Sequence, residues 1–361
     1  MHRILIMGAG KIGTLIGYLL AQSQDYTLTI VDRDLSQFKA TKLAQQSAVT
    51  GHELALNDHA ALTQLISSAQ IEAVISCLPF SCNVQLAQLA KAHQLHYFDL
   101  TEDTQVSAEI EQLAYNSSKA YVPQCGLAPG FISIAAQHLI QQFDSVEAIK
   151  LRAGALPRSP CNALKYALTW SVEGLINEYG NACHAIIEGQ DTLLRPLEGL
   201  ETVQIDGLLY EAFNTSGGLG SLAQTYAQKV NTLDYKTLRY PGHCEKMRFL
   251  MHDLQLNQNR QCLATLLEKT LGHTVEDVVI IYVAVTGYVQ QRLTEKFYVK
   301  KIYPQRLFEQ TWSAIQIATA SSLCAVVDIL LAAPQAYSGM ILQESFALPN
   351  ILNNRFGQYY Q

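Results

Sequence analysis

Short apolar runs alternate with segments of helical periodicity over roughly the first 130 residues. Apolar runs predict five strands, at residues 4–7, 28–31, 72–77, 96–100 and 120–122. Between these runs, apolar side chains recur every three or four positions, which predicts helices at 11–22, 35–46, 82–93 and 105–118. Strands that alternate with helices in this way predict a parallel sheet with helices on both faces.

The pattern changes near Pro129 and Gly130. Strand-like runs follow at residues 146–152, 278–288 and 297–302, and several short ones lie within 185–215, with turn residues at 188–189 and 206–207. Successive strands without intervening helices predict an α+β domain with a mixed or antiparallel sheet. A long apolar helix is predicted at 312–333. We therefore expect a first domain at 1–130, a second at 131–310, and a C-terminal helix and tail at 311–361 that pack back on the first domain.

The chain has 361 residues, of which 49% are hydrophobic and 16% are charged, and its net charge is −6. This composition is typical of a folded protein of about two domains, and it excludes a disordered or low-complexity chain. The acidic balance does not favour a nucleic acid or an anionic membrane as a partner, and we expect neither.

Eight cysteines are scattered along the chain without a Cys-x-x-Cys pair or a Cys/His cluster. This spacing predicts reduced thiols in a cytoplasmic protein and no structural metal. The most apolar segment, residues 315–333, holds Gln316, Thr319 and Asp328 among its apolar residues. We therefore expect a buried amphipathic helix there rather than a membrane span.

A glycine motif joins the first predicted strand to the first predicted helix. Gly8, Gly10 and Gly13 form a G-x-G-x-x-G pattern, with Lys11 and Ile12 inside it. In this position the first glycine permits a tight turn, the second lets the backbone approach a pyrophosphate, and the third lets helix and strand pack closely. The helix N-terminus then offers free N–H groups to the phosphates. The motif predicts a Rossmann doubly wound parallel sheet that binds a dinucleotide.

Asp32 ends the second predicted strand, where its carboxylate accepts hydrogen bonds from ribose hydroxyls and repels a 2′-phosphate. It therefore favours NAD. The adjacent Arg33 leaves NADP possible, because a guanidinium pairs with phosphate.

Ligands of open parallel sheets lie outside the carboxyl ends of the strands. The residues that end or follow two of the predicted strands are therefore expected at the nicotinamide half of the site: Cys77, Leu78, Pro79 and Thr101. Asp99 and Glu102 are acidic groups at the same edge. For each of them, a helix-capping or solvated carboxylate is as good an interpretation as an acidic group beside the reacting atoms.

Four segments resemble motifs of the saccharopine dehydrogenase family, in the family's order and spacing. They are the Cys-Gly-Leu-Ala-Pro-Gly run at 125–130, the Ala-Gly-Ala-Leu-Pro run at 153–157, the Trp-Ser segment at 166–179 and the Leu-Arg-Tyr-Pro-Gly-His run at 238–243. The first two resemble loops of that family, and the third resembles the segment that lines its substrate cleft. The resemblance implies an NAD(P)-dependent dehydrogenase with a second domain that binds substrate and forms dimers.

Within the family, Glu173 and Ala153 stand where saccharopine reductases typically carry Arg and Cys. The Trp-Ser-x-Glu-Gly-Leu-Ile pattern looks more like the lysine 6-dehydrogenase branch. Lysine has one carboxylate and two ammonium groups, whereas saccharopine has three carboxylates, so an acidic side chain in place of arginine suits lysine better. Ala155, in place of a second glycine, is a minor departure.

Oxidation of an amine requires a base, because an alkylammonium must lose a proton before it can lose hydride. The candidates are His243, Glu173 and Asp99. A structural histidine after the Pro-Gly turn and a solvated helix carboxylate are the simpler interpretations of the first two. Arg239 is the candidate clamp for a substrate carboxylate, or alternatively an interdomain salt bridge. Tyr240 and Tyr166 either bind substrate or fill the cleft.

We thus expect an oxidoreductase that acts on the C–N bond of lysine or saccharopine and self-associates as a homodimer or larger homo-oligomer. One alternative is an enzyme similar to carboxynorspermidine dehydrogenase that acts on another amine. The other is a catalytically inactive, NAD-sensing Rossmann protein.

Overall fold

The computed structural model describes residues 1–361. The chain forms two compact units, one of Met1–Leu127 with Ala318–Gln361 and the other of Ala128–Ile317. Each unit has its own main sheet.

The first unit alternates strands and helices, as its sequence pattern predicts. Its N-terminal elements are β1 (His2–Met7), α1 (Lys11–Gln22), β2 (Tyr26–Asp32), α2 (Ser36–Lys39), β3 (Val49–Glu53), α3 (His59–Ser68), β4 (Ala73–Ser76), α4 (Asn83–Ala92), β5 (His96–Phe98), α5 (Thr104–Ala114) and β6 (Ala120–Val122).

The second unit begins with a helix and is dominated by strands. Its elements are α6 (Phe131–Ile140), β7 (Ser145–Pro157), α7 (Val172–Gly180), β8 (Cys183–Ile187), β9 (Gln190–Leu194), β10 (Glu201–Ile205), β11 (Leu208–Asn214), α8 (Leu222–Tyr226), β12 (Thr232–Arg239), α9 (His243–Arg248), α10 (Arg260–Thr270), β13 (Asp277–Val289), β14 (Arg292–Ile302), β15 (Gln305–Leu307) and β16 (Gln310–Trp312). The chain then returns to the first unit through α11 (Ala314–Ala332), β17 (Gly339–Met340) and α12 (Leu348–Asn353).

All seven strands of the first sheet are parallel, in the order β3-β2-β1-β4-β5-β6-β17. The strand order therefore reverses between β1 and β4, which is where open α/β sheets bind ligands. Ile4, Leu5 and Ile6 of β1 have no exposed surface, because helices cover both faces. The predicted doubly wound Rossmann sheet is confirmed.

The second sheet is mixed, as predicted. Its order is β10-β11-β12-β7-β13-β14, with β8 and β9 attached beside β12. Only β7 and β12 pair in parallel, and the other neighbours are antiparallel. The expected turns at 188–189 and 206–207 join β8 to β9 and β10 to β11.

Three local predictions were wrong. Residues 35–46 form only the single helical turn α2 and a 3-10 turn at 43–45, because Leu43 turns inward, is fully buried and donates its N–H to the Tyr18 hydroxyl. The 153–157 segment, expected to be a loop, is the end of strand β7. Helix α11 is buried along most of its length and is not amphipathic.

Helix α11 is long and apolar enough to cross a membrane, but most of its apolar stretch is buried inside the protein. Its composition is therefore explained by the core of the fold. Asp328 on this helix accepts hydrogen bonds from Tyr26 of β2 and from Asn354 and Arg355 of the tail. These contacts hold the C-terminal tail against the first sheet.

Candidate cofactor and substrate sites

The glycine motif lies in the tight turn between β1 and α1. Gly8 has φ +107°, a conformation that favours glycine. A Cβ on Gly13 would lie 2.0 Å from the Gly8 carbonyl oxygen, so only glycine allows this approach of helix to strand. Around Gly10, by contrast, no atom lies within 4 Å of a hypothetical Cβ. The backbone is thus open at the position where a pyrophosphate approaches.

Helix α1 begins without a side-chain cap and without an acidic residue in its first turn. The N–H groups of that turn are therefore available to an anion, and the helix dipole favours one. Lys11 is exposed and Ile12 is half-buried at this end. These features fit the phosphates of NAD(P).

Asp32 lies at the end of β2, half-buried. Its Oδ2 accepts a hydrogen bond of 2.7 Å from the Ala9 N–H, which ties the end of β2 to the glycine turn. Its Oδ1 accepts a weaker one, of 3.3 Å, from the Asp34 N–H. Arg33 is exposed beside it.

Substitution of Gly10 and Gly13 by alanine is expected to separate cofactor binding from folding. Gly10→Ala retains the fold and weakens NAD(P) binding by about tenfold or more, since the added methyl lies where the pyrophosphate approaches. Gly13→Ala destabilises the protein by about 1–3 kcal/mol, because its methyl overlaps a backbone carbonyl. Thermal unfolding and fluorescence titration with the reduced dinucleotide measure the two effects. If Gly10→Ala binds the dinucleotide with the affinity of wild type, the glycine turn is not the cofactor site.

The residues predicted at the nicotinamide half follow β4 and β5 at the carboxyl edge of the sheet. Cys77 and Leu78 are half-buried, Pro79 is exposed and Thr101 is buried. Burial raises the pKa of the Cys77 thiol to about 12, so this thiol stays protonated at neutral pH.

Asp99 at the same edge has no exposed surface. Its Oδ1 accepts hydrogen bonds of 2.9 Å from the N–H groups of Thr101 and Gln124, and its Oδ2 accepts one of 2.8 Å from the Tyr97 hydroxyl. Burial raises its pKa to about 6, against the effect of these hydrogen bonds. The contacts tie the segments after β5 and β6 together, which favours the structural interpretation of Asp99. Glu102 is half-buried, and burial raises its pKa to about 7.

In the second unit, Arg239 is the last residue of β12 and is only 3% exposed. One terminal nitrogen donates to the Leu238 carbonyl, and Nε has no hydrogen-bond partner. The guanidinium carbon lies 5.0 Å from the ring centre of Tyr166 and 5.7 Å from that of Tyr179. Arg239 thus lies between two aromatic rings with an unused buried donor.

Two more buried hydroxyls near Arg239 lack partners, those of Tyr166 and Thr169. Burial raises the pKa of Tyr166, and the positive charge of Arg239 acts in the opposite direction, so the phenol stays a donor. Thr169 was not singled out from the sequence, although it lies in the segment that resembles the family's cleft. Three unpartnered donors in one buried region are typical of a site completed by an anion.

His243 begins α9 and is 1% exposed. Its Nδ1 lies 2.8 Å from the Leu164 carbonyl oxygen, and its Nε2 lies 3.1 Å from the Tyr179 hydroxyl. Burial and the charge of Arg239 lower its pKa to about 3. A base with so low a pKa and two occupied nitrogens is poorly suited to accept a proton from an amine.

The two remaining predicted substrate residues, Tyr240 and Glu173, have other surroundings. Tyr240 is half-buried, and its hydroxyl donates to the Pro157 carbonyl at 3.0 Å. Glu173 is exposed in the first turn of α7, after the N-cap Ser171. A carboxylate there is stabilised by the helix dipole.

Sequence reasoning missed one buried carboxylate in this unit. Glu211 of β11 is 6% exposed, and its two oxygens accept hydrogen bonds of 2.7 and 2.6 Å from the N–H groups of Gly242 and Cys244. These groups flank His243 at the start of α9. No sequence pattern connects Glu211 with a turn about 30 residues later, so only the sheet register reveals the contact.

Two family models match the chain. Residues 4–124 match the saccharopine dehydrogenase NADP binding domain, and residues 126–356 match the saccharopine dehydrogenase C-terminal domain. Among curated proteins, a saccharopine dehydrogenase [NADP(+), L-glutamate-forming] of Pyricularia oryzae is 22% identical over 258 residues, which cover 69% of this chain and 56% of that protein. The chain thus spans little more than half the length of this relative.

Solved structures share the fold at low identity. The apo saccharopine dehydrogenase (L-Glu forming) from Saccharomyces cerevisiae is 15% identical, with a TM-score of 0.78 over 97% of this chain and 95% of that chain. The homospermidine synthase from Legionella pneumophila in complex with NAD is also 15% identical, with a TM-score of 0.68 over 99% and 89% of the two chains. Because the family models together span nearly the whole chain, and the glycine turn fits a dinucleotide, the protein is an NAD(P)-binding member of the saccharopine dehydrogenase family.

Proposed function

We propose that this protein is an NAD(P)-dependent oxidoreductase that acts on the C–N bond of an amino acid in lysine metabolism, of the lysine 6-dehydrogenase or saccharopine dehydrogenase type. The observation that carries the proposal is the buried Arg239, whose unpartnered Nε lies near the unpartnered hydroxyls of Tyr166 and Thr169. A guanidinium with adjacent hydroxyl donors is suited to a carboxylate. Family membership and the dinucleotide site supply the rest of the argument.

Lysine is the better candidate for the amine. Saccharopine carries three carboxylates and calls for several cations, whereas the buried donors near Arg239 include this single cation. Glu173 replaces the arginine of the saccharopine reductases and is exposed at the start of α7. An exposed carboxylate there suits an ammonium group of the substrate.

When bound, NAD(P) accepts hydride from the carbon that bears the amine. The protein's own residues bind the substrate and take up the proton that the alkylammonium loses first. Of the two acidic groups at the carboxyl edge of the first sheet, Asp99 is fully buried and both of its oxygens are hydrogen-bonded, whereas Glu102 is half-buried. Burial raises the pKa of Glu102 to about 7, which suits this task. We propose Glu102 as the base, in place of His243 and Asp99.

Glu102→Gln is expected to lower kcat by about 100-fold or more and to remove the limb of the pH–rate profile near neutral pH. The rate should rise as Glu102 loses its proton, because the carboxylate is the form that accepts one. The measurement is kcat against pH for wild type and variant, with Glu111→Gln at an exposed position of α5 as a control. If the pH–rate profile of Glu102→Gln equals that of wild type, another group accepts the proton of the substrate ammonium, and Glu173 is the next candidate.

The activity is tested by following reduced nicotinamide with purified protein, NAD or NADP, and either L-lysine or saccharopine. We expect turnover of lysine in the absence of saccharopine. Turnover of saccharopine alone would place the protein in the other branch of the family. Bound dinucleotide without turnover of either amine would contradict the proposal and favour another amine or the NAD-sensing alternative.

We propose NAD as the preferred cofactor on the basis of Asp32, with NADP possible through Arg33. Asp32→Ser is expected to reduce the preference for NAD over NADP by about tenfold, since the charge that repels a 2′-phosphate is lost. Because Asp32 also holds Ala9, affinity for both cofactors should fall. The diagnostic quantity is therefore the ratio of the two KM values. A ratio that does not change contradicts a role for Asp32 in selection.

We further propose a homodimer or larger homo-oligomer in the cytoplasm. Leu293, Phe297 and Val299 are exposed at 66, 52 and 44% and alternate along one face of β14, which supports association through that face. All eight cysteines are free thiols, which supports a reducing compartment. Light scattering after size exclusion measures the assembly, and Phe297→Glu should shift it toward the monomer.

A further inference from the structure

The hydrogen bonds of His243 determine its tautomer. The Leu164 carbonyl oxygen near Nδ1 can only accept, so Nδ1 carries the hydrogen. In the neutral ring Nε2 then has a lone pair and accepts a hydrogen bond from the Tyr179 hydroxyl. The Tyr179 contact is buried and the Leu164 contact is partly buried, and Phe213 stacks on the imidazole with ring centres 6.2 Å apart. The ring has neither a free nitrogen nor space to turn.

This tautomer also determines what Tyr179 offers to Arg239. Because the phenolic hydrogen is directed to His243, the Tyr179 oxygen presents only lone pairs to other neighbours. Arg239 has donors alone and lies against the Tyr179 ring. Its other contacts are the Leu238 carbonyl and the Tyr166 ring. The guanidinium thus contacts neutral groups, while the charge of the buried Glu178 raises its pKa.

Protonation of His243 would disrupt this arrangement. The charged groups that face it are Arg239 of β12 and Lys246 of its own helix, and both lower its pKa in addition to the effect of burial. Tyr179 of α7 and Tyr166, from the segment before α7, face it as neutral phenols. A second proton would make the imidazole a cation beside Arg239. Nε2 would then be a donor that faces the hydroxyl hydrogen of Tyr179.

The backbone around His243 is itself fixed. Glu211 accepts hydrogen bonds from Gly242 and Cys244, the residues on either side. This carboxylate crosses from the neighbouring strand β11 and caps the start of α9. The imidazole is thus positioned by the backbone as well as by its ring contacts.

We propose that His243 is a positioning residue that, as a neutral Nδ1–H imidazole, holds the Tyr179 hydroxyl hydrogen away from the buried Arg239, which binds a carboxylate of the substrate. The identity of that substrate rests on the proposed function. The tautomer, and the series of contacts from Leu164 through His243 and Tyr179 to Arg239, do not depend on that function.

The first test reads the tautomer directly by long-range ¹H–¹⁵N NMR of the imidazole in the full-length protein. His243 is expected to show a protonated Nδ1, a bare Nε2 and no titration between about pH 5 and 8. His243→Gln assigns the resonance. A protonated Nε2, or titration within that range, would overturn the proposal whether or not the protein turns over an amine.

The second test is a double-mutant cycle on binding of L-lysine to the protein saturated with NAD, measured by calorimetry and as KM. His243→Asn keeps a donor for Leu164 and loses the acceptor for Tyr179, whereas Tyr179→Phe loses the donor. Each is expected to weaken binding about tenfold, with kcat changed by no more than about twofold. The double variant should be no weaker than the weaker single variant, because the two share one hydrogen bond. His243→Gln, whose amide oxygen reaches toward the Nε2 position, should restore part of the affinity.

A matched control is Tyr121→Phe, which removes a buried hydroxyl bonded to the Ala87 carbonyl in the first unit. It should leave lysine binding unchanged. Additive losses of affinity in the cycle would overturn the proposal. It would also be overturned if His243→Asn greatly lowered kcat and removed a limb of the pH–rate profile, because His243 would then be the base. If wild type does not reduce nicotinamide with any amine, the result counts against the proposed function. The NMR measurement still decides the proposal about His243 in that case.

Discussion

Replacement of Arg239 by methionine is expected to raise KM for the amino-acid substrate by about 100-fold or more, which corresponds to about 3 kcal/mol. The variant removes the buried guanidinium and its unpartnered Nε, so the substrate carboxylate loses its charged partner. Arg239→Lys keeps the charge and loses the planar fork, and an intermediate loss of about tenfold is expected. KM for NAD should not change.

The same substitution should also destabilise the protein, because the buried Glu178, whose charge acts on Arg239, loses that cation. Urea unfolding of Arg239→Met should therefore give a lower free energy of unfolding than that of wild type. Arg158→Gln, which removes an exposed partner of Glu276, serves as the control and should leave KM unchanged. A destabilised Arg239→Met variant with normal KM would make the residue structural and contradict the carboxylate site.

The stability of the protein is expected to fall in acid because of His243. Its pKa is about 3 when folded, against an ordinary value of 6.5. As the pH falls below 6.5 the unfolded chain binds a proton at this position, and the folded chain does so only near pH 3. Folding therefore becomes less favourable through this window. At pH 5 the loss amounts to about 2 kcal/mol relative to pH 7.5.

Other buried groups titrate in the same range. His96, with its pKa lowered to about 4 by burial, adds to the loss. Asp99 and Asp277, with pKa values raised to about 6 by burial, act in the opposite direction, since their folded forms hold protons more tightly as the pH falls. These groups are common to wild type and His243→Gln.

The difference between the two proteins isolates His243. Urea unfolding at pH 7.5 and at pH 5 should show wild type losing about 2 kcal/mol more than His243→Gln. The variant itself starts from a lower stability at pH 7.5, because a buried hydrogen bond is altered. Equal losses in the two proteins would mean that His243 titrates normally in the folded state, which contradicts its burial between Leu164 and Tyr179.

Much of the first unit was predictable because its information is local. The apolar run of β1, the glycine turn and the helical period of α1 follow one another within about 20 residues, and each has a direct physical meaning. Asp32 likewise follows from its place at the end of the second strand. The predictions that failed there, such as a continuous helix at 35–46, failed because Leu43 turns inward to Tyr18, a tertiary contact without a local pattern.

The second unit shows the limit of the same reasoning. Arg239 and His243 were found from their motif, but their roles depend on partners from other elements. Tyr179 comes from α7, Glu211 from β11 and Leu164 from the segment before α7. His243 was a candidate base, but burial and the charge of Arg239 lower its pKa to about 3, which makes it a poor acceptor of a proton.

The sequence alone determined the fold class, the dinucleotide site and the residue types offered to the substrate, because hydrophobic period, glycine placement and residue chemistry are properties of short segments. Only the tertiary structure decided which of those residues carry free charge or free lone pairs. Arg239 is left with an unused donor, His243 is held neutral and Asp99 is enclosed. Burial and hydrogen-bond partners set protonation and availability, and both arise when distant segments pack together.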